Sequence, residues 1–437
     1  MKEHVTIGVA CLARKTFDFD AAREIYQRIQ EDLQHIDNAT FEFIPELVFE
    51  VPDAEQAAQQ FSKDLDGIVL IAGTFHLGHL ALVINKIVKK PILLWGLNEL
   101  PYNGGKIRLN STCGINLDAS NLYKSGIKDY HVVIGDSIDE AWIDALRAKH
   151  AMFKAKIGIA GYRAHGFFNL DVDEPDLYRA TGAMIDHFEL SDIFNMDVAP
   201  EQVVAMREKI EATFTISALN EEQIDKVSAL AAKIDAFVND NNLTALAIRC
   251  WPEFAATFGI APCAAMSLLQ ADGKVLACEG DVLGAMSMLA HVAIGAETPF
   301  LADFSQVNFD ENFALLWHCG VAPCNTWDGT CDRSLETYHA GGKGVTADFV
   351  LKQGDISIAR IDYCQDGYRL FLQEAKAIPM NKELKGTYAK VVFEDDIRVV
   401  LDKIVMNGIA HHVSVVYGKF TKPLEILARL LGWIVIK

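Results

Sequence analysis

The sequence has no CxxC pair, no long apolar run and no block of like charge, and each absence excludes something. Its cysteines are Cys11, Cys113, Cys250, Cys263, Cys278, Cys319, Cys324, Cys331 and Cys364. Without paired spacing they read as reduced thiols, packed or in loops, and not as a disulfide framework. Cys319, Cys324 and Cys331 are the closest group and lack the fourth ligand of a zinc knot. The longest apolar stretches, around 68–72 and 92–94, are strand-length and far below the ~20 residues of a membrane helix. The first residues lack a basic segment feeding an apolar one, so no secretory leader and a cytoplasmic location are expected. Basic residues are few: 40 Lys and Arg face 59 Asp and Glu, for a formal charge of −19. That balance, with no basic patch, disfavours nucleic acid and anionic membranes. Repeats are lacking, and the glycine turn at 341–344 is too short for a phosphate loop.

What the chain does have is alternation. Its 437 residues exceed one hydrophobic core and imply two or three domains. Residues 5–11, 41–44, 67–72, 91–96 and 130–134 read as strands, with helices at 20–35, 54–65, 79–88 and 137–152. In 20–35 the inward face is Ala22, Ile25, Ile29 and Leu33. Residues 106–117 read as irregular. Buried strands separated by helices predict a mostly parallel sheet covered on both faces. A second such unit starts with strand 156–161, enters a loop of glycines and aromatics, and continues in a helix over 173–188. The firmest helix is 221–238, where Asn220 and Gln223 fit a capping box and Ile224, Val227, Ala231, Ile234 and Val238 form one stripe. In the last third, strand-like segments follow one another, among them 308–317, 357–363, 367–375, 386–393, 396–406 and 412–417. A late helix is expected at 422–430. The fold class expected is α/β plus β. Two doubly wound αβα domains with mostly parallel sheets, 1–153 and 154–274, precede a β-rich, barrel-like C-terminal domain, 275–437.

Polar residues at strand ends are the candidates for chemistry, because ligands collect there in α/β sheets. Glu253 follows strand 243–250 and stands among Cys250, Trp251 and Phe254. Glu279 and Asp281 follow strand 275–279. Either one, or neither, faces a site, since Gly280 between them breaks the strand geometry. Asp281 also suits the N-cap of an apolar helix at 282–293. His411 and His412 sit at a loop-to-strand junction. Two carboxylates and one imidazole form an oxygen-rich set suited to Mn²⁺, Mg²⁺ or Co²⁺. His318, in LWHCG, suits a hydroxyl contact or a proton shuttle, against a plain structural histidine. Trp251, beside Arg249, suits a sugar face or the core.

Three stretches carry a family resemblance: RCWPEF at 249–254, CEGDVLGAMSMLAH at 278–291 and NGIAHHVSVVYG at 407–418. With them, and with its domain order, the chain resembles the L-fucose isomerase and L-arabinose isomerase superfamily, as a short fucose-isomerase-like member. The resemblance implies metal ligands at Glu253, Asp281 and His412, gathered where the second and third domains meet. Asp281 follows the fucose-type pattern, and His412 is preferred over His411. The implied activity interconverts an aldose and a ketose through a cis-enediol, with Glu253 and Asp281 moving protons beside Mn²⁺, or alternatively Mg²⁺ or Co²⁺. No nucleotide cofactor is needed, because the reaction is internally redox-neutral. Substrate contacts are expected from His76, Asn110, Arg163, Trp251, His318 and Asn407, with Arg163 the best candidate for an anionic substituent. A homohexamer is implied. A neighbour's N-terminal domain would help close the site and bring Thr74, His76 and residues 110–113 in trans. Fucose, arabinose and an acidic or sulfonated hexose remain open as substrates. The competing readings are a metal-dependent sugar aldolase, dehydratase or epimerase, and a non-catalytic sugar-binding protein.

Overall fold

The structure is a computed structural model that describes residues 2–338 and 342–437, so Gly341 of the glycine turn lies outside it. The chain divides into two compact units, residues 2–150 with 422–433, and residues 151–421 with 434–437. Parallel-sheet α/β architecture is joined in this chain with one large mixed β-sheet.

The first unit holds a five-stranded sheet in the order Ala39–Phe43, Val5–Leu12, Gly67–Ala72, Ile92–Gly96, Tyr130–Ile134, with every pairing parallel. The central strands are buried along their length and read as continuous apolar runs, as strands covered on both faces do. Helix Phe19–Leu33 is capped by Asp18, which accepts from the Ala21 amide. It buries Ala22, Tyr26, Ile29 and Leu33. Tyr26 therefore takes the inward place that periodicity gave to Ile25, and its hydroxyl donates to the Ile44 carbonyl at 2.8 Å. The stretch read as irregular contains the start of helix Ser111–Lys124. That helix buries Ser111, Gly114 and Asp118 beside Ile115 and Leu122, so it presents no apolar stripe to betray its period. The late helix, Thr421–Leu431, contributes to this unit through the ion pair of Lys422 with Asp139.

In the second unit a four-stranded parallel sheet runs Met184–Phe188, Lys156–Ala160, Ala245–Ile248, Leu276–Cys278. The strand Met184–Phe188 falls where a helix over 173–188 was expected. Gly182, at φ 84°, stops helix Glu174–Thr181 in a left-handed cap, and the chain then extends. Helix Glu221–Asp240 has the expected capping box and buries the whole stripe from Ile224 to Val238. The nine-stranded sheet contains a closed ring. Thr387–Phe393 pairs Phe313–His318, which pairs Phe300–Asn308, then His412–Tyr417, Gly354–Cys364 and Gly367–Ile378, which returns to Thr387–Phe393. All six pairings are antiparallel, so these strands leave no free edge within the ring. Residues 396–406 are helical rather than a strand: Asp396 caps Ile397–Met406, and Ile397, Val400 and Ile404 face inward. Their β-branched content disguised a 3.6-residue period.

Helix Val282–Ala293 packs against strands of both sheets. Eleven of its twelve residues are buried, which is why it is apolar all round and carries no full charge. Its one titratable side chain, His291, meets the Ser414 hydroxyl at 2.9 Å, and burial pushes its imidazole down from 6.5 to about 3. A histidine held neutral contributes stability that is complete above the unfolded value and is lost as pH falls toward the folded one. Each pH unit in that window is worth up to about 1.4 kcal/mol. Between about pH 7 and about pH 5, wild type is expected to lose about 2 kcal/mol more in urea unfolding than His291→Gln loses. Equal losses would exclude His291 as the acid-sensitive group.

Candidate active site

The centre of the second unit's chemistry is a three-residue turn. Strand Leu276–Cys278 ends, Glu279 adopts a left-handed φ of 64°, Gly280 follows at 75°, and Asp281 begins the next helix. A Cβ at Gly280 would come within 2.3 Å of the Tyr162 carbonyl and 2.6 Å of the Arg163 Cα, so only glycine fits. The 161–168 loop is fastened to this turn by the Ala164 amide, which donates to the Glu279 carbonyl at 3.0 Å. The turn rotates the two carboxylates into different roles.

Asp281 is fully buried and its oxygens are engaged. One accepts from the Gly284 amide at 2.8 Å, capping the helix. The other forms an ion pair with the equally buried Arg360 and accepts from His412 Nδ1 at 2.9 Å. Burial alone would raise the Asp281 carboxyl, but Arg360 and His412 hold it well below the usual carboxylate range. With Nδ1 donating to Asp281, His412 presents the bare lone pair of Nε2 on its other side.

Two carboxylates approach that Nε2. Glu279 Oε2 lies 3.4 Å away and Asp303 Oδ1 3.5 Å away. Asp303 reaches it because strand register sets it directly opposite His412. Among the described residues neither His412 Nε2 nor Asp303 Oδ1 has a hydrogen-bond partner, and both atoms are buried. Glu279 is held from its other side by the Trp251 indole N–H, which donates to Oε1 at 3.3 Å. His411 Nε2 reaches Glu279 Oε2 at 3.4 Å. Burial works to raise the Glu279 carboxyl, yet the hydrogen bond with His411 leads the interactions that keep it below its ordinary value. Among the described residues, two groups bring their donor atoms within 4.8 Å of one another: Glu279, His318 and His412, and Asp303, His411 and His412. Buried bare acceptors beside an anionic carboxylate are the donor set of a hard divalent cation.

The expected site residues fall in several places. Asp281 and His412 are brought together, as imidazole and hydrogen-bond acceptor. His412 is buried, whereas the His411 side chain is 37% exposed. Glu253 pairs with Arg249 at 3.0 Å through one oxygen and leaves Oε2 buried and bare. Trp251 touches Glu279 and packs edge-on to Phe167, which also packs on His411. Arg163 lies over the Tyr162 and Phe168 rings, 3.8 Å from the exposed Asp171, with its Nε unpartnered among the described residues. Asn407 ends helix Ile397–Met406 on the surface, its amide donating to the Lys403 carbonyl. His76 and Asn110 belong to the first unit. There His76 is buried between the Thr74 carbonyl and Asp118, and the Asn110 amide donates to Glu99. Asp303 and Arg360 escaped sequence reasoning. An acid inside the apolar run 300–304 was the only signal for Asp303, and its register with His412 is a tertiary fact.

No family model matches the chain. Over nearly its whole length it is similar to proteins named sulfoquinovose isomerase. The one from Priestia megaterium is 28% identical over 442 residues, 98% of each chain, and the one from Alkalicoccus urumqiensis is 27% identical over 438 residues, again 98% of each. One from a Clostridium species is 27% identical over 78% of this chain and 79% of its own. These likenesses support an enzyme of the aldose–ketose isomerase class. A sugar-bound periplasmic solute-binding protein from Actinobacillus succinogenes overlaps 56% of this chain and 78% of its own at 12% identity, and its TM-score of 0.17 is too low to carry an argument.

Proposed function

We propose that this chain is a divalent-cation-dependent isomerase that interconverts a sulfonated aldose and its ketose. The observation that carries the reading is the convergence of Glu279, Asp303 and the bare Nε2 of His412, in a chain similar throughout to sulfoquinovose isomerases. The bare buried acceptors fit a cation of the Mn²⁺, Mg²⁺ or Co²⁺ kind, with His412, which both donor groups share, as one holder and Glu279 and Asp303 as the carboxylates that would close on the ion from its two sides. Bound there, such an ion supplies Lewis-acid polarisation of sugar oxygens. The chain's own residues do the rest. A proton must leave C2 of the open-chain aldose and arrive at C1, while the carbonyl moves from C1 to C2. Glu253 Oε2, buried and bare two residues from Trp251, is the acceptor we assign to that proton. Asp281, with both oxygens engaged, acts through His412 by fixing which ring nitrogen is bare. Trp251 and Phe167 form an aromatic wall beside His411 and Glu279.

Arg163 is the group we assign to the sulfonate. Its guanidinium rests on two aromatic rings, has one loose acidic neighbour, and its Nε is unpartnered among the described residues, so its fork can pair with two oxygens of a sulfonate. Arg163→Gln is expected to lower kcat/KM for a sulfonated aldose roughly 100-fold, about 3 kcal/mol, through KM. The parent sugar without the sulfonate should be turned over as before. A matching loss on both sugars would remove Arg163 from substrate recognition.

The activity itself is tested with purified protein, Mn²⁺ and sulfoquinovose in D₂O, followed by NMR. Ketose should form, solvent deuterium should enter at the exchanging carbon, and a chelator should stop both. Shorter carbonyl fragments would instead favour an aldolase.

A further inference from the structure

His318 belongs, by distance, to the group around Glu279 and His412, and counting donors would make it a third ligand. Its hydrogen bonds argue otherwise. The ring is buried on strand Phe313–His318, stacked at 5.5 Å from the His412 ring. Its Nδ1 accepts from the backbone N–H of Cys319 at 2.9 Å. The Cys319 thiol lies 3.3 Å from the same nitrogen, and its own bond to Cys263, with burial, keeps that thiol protonated. The backbone N–H of Cys319 is thus a fixed donor to Nδ1, and a proton on Nδ1 would face it head-on. Burial pushes the His318 imidazole down while Cys319, Asp303 and Glu279 push it up, but the Cys319 N–H leaves no room for a second proton at Nδ1, so the ring's one proton sits on Nε2. The opposite holds in His412, where Asp281 draws the proton to Nδ1. Two stacked rings thus present opposite faces to one space: a lone pair from His412 and an N–H from His318. That N–H is buried and has no acceptor among the described residues.

We infer that His318 does not hold the cation but donates its Nε2–H to an oxygen on the reacting carbons of the bound sugar. This rests on the isomerase reading above. As the C2 proton leaves, negative charge grows on the oxygens of C1 and C2, and a buried N–H already aimed there stabilises it without reorganisation. The carbonyl oxygen of the aldose and the C2 hydroxyl are both acceptors, so the ligand class is an α-hydroxy carbonyl compound.

The test measures Mn²⁺ affinity and kinetics in parallel for wild type, His318→Gln, His318→Ala and His412→Gln. His412→Gln should weaken Mn²⁺ binding at least about 100-fold, and both His318 variants should stay within about threefold of wild type. In kcat, His318→Ala should fall about 100- to 1,000-fold, and His318→Gln less, because its amide restores an N–H. Wild type labelled with ¹⁵N-histidine and loaded with Mg²⁺ should show a proton-bearing Nε2 and a bare Nδ1 for His318. Loss of Mn²⁺ affinity in the His318 variants equal to that in His412→Gln overturns the inference. So does a proton on Nδ1, or an unchanged kcat in His318→Ala. Should wild type turn over no sulfonated aldose, the isomerase reading fails instead, and the NMR measurement still decides the tautomer.

Discussion

Glu279→Gln is expected to abolish the enzyme without unfolding it. The carboxylate is the only charged group that faces His412 Nε2 from the turn after strand Leu276–Cys278, at 3.4 Å. An amide of the same shape keeps the Trp251 contact but removes the negative charge a hard cation needs. Mn²⁺ affinity should fall at least about 100-fold and kcat/KM by about 1,000-fold or more, with the urea midpoint nearly unchanged. Glu253→Gln provides the contrast. It should keep Mn²⁺ affinity within a few-fold while kcat collapses, since we place Glu253 at the proton and not at the ion. Calorimetric Mn²⁺ titrations of both variants beside wild type separate the roles. If Glu253→Gln lost the ion and Glu279→Gln kept it, the two assignments would have to be exchanged.

Asp281→Asn should damage both stability and function, for separable reasons. Arg360 has no exposure, and its Nε and Nη2 have no partners among the described residues, so Asp281 is the counter-charge the structure gives it. Removing one member of a buried ion pair leaves the other uncompensated and costs about 3–5 kcal/mol. The functional loss has another origin. An asparagine can turn its amide N–H toward His412 Nδ1, which moves the ring proton to Nε2 and removes the lone pair from the site. Mn²⁺ affinity should fall 10- to 100-fold, as for other losses of a histidine's outer partner. Adding Arg360→Met to Asp281→Asn removes the stranded charge. The double variant should regain much of the stability and none of the cation affinity. Recovery of both together would mean that Asp281 serves only the fold.

These expectations show what the residues alone could carry. Periodicity read the parallel sheets, because buried strands such as Gly67–Ala72 are continuous apolar runs. The capping box at Asn220 was legible for a similar reason: it is a local bond within four residues. Helix Ser111–Lys124 was not, since its inward face is made of small and polar groups such as Gly114 and Asp118. In the candidate site, the motif CEGD marked the turn that carries Glu279 and Asp281, and the adjacent histidines marked the start of strand His412–Tyr417. Which of Glu279 and Asp281 points where depends on two successive left-handed residues, and their need comes from the 161–168 loop more than a hundred positions earlier. Asp303 enters through antiparallel register, and Arg360 through a strand of the closed ring. Neither kind of neighbourhood leaves a trace in spacing.

The central claim is that one divalent cation is held by Glu279, Asp303 and His412, while Asp281 stands behind the imidazole. Anomalous diffraction from crystals of the protein grown with Mn²⁺ tests it most directly. The account predicts a single strong peak about 2 Å from His412 Nε2 and from carboxylate oxygens of Glu279 and Asp303. Asp281 should remain on Nδ1. A peak ligated by Glu253 and Asp281, or no peak in this cluster at saturating Mn²⁺, would contradict it.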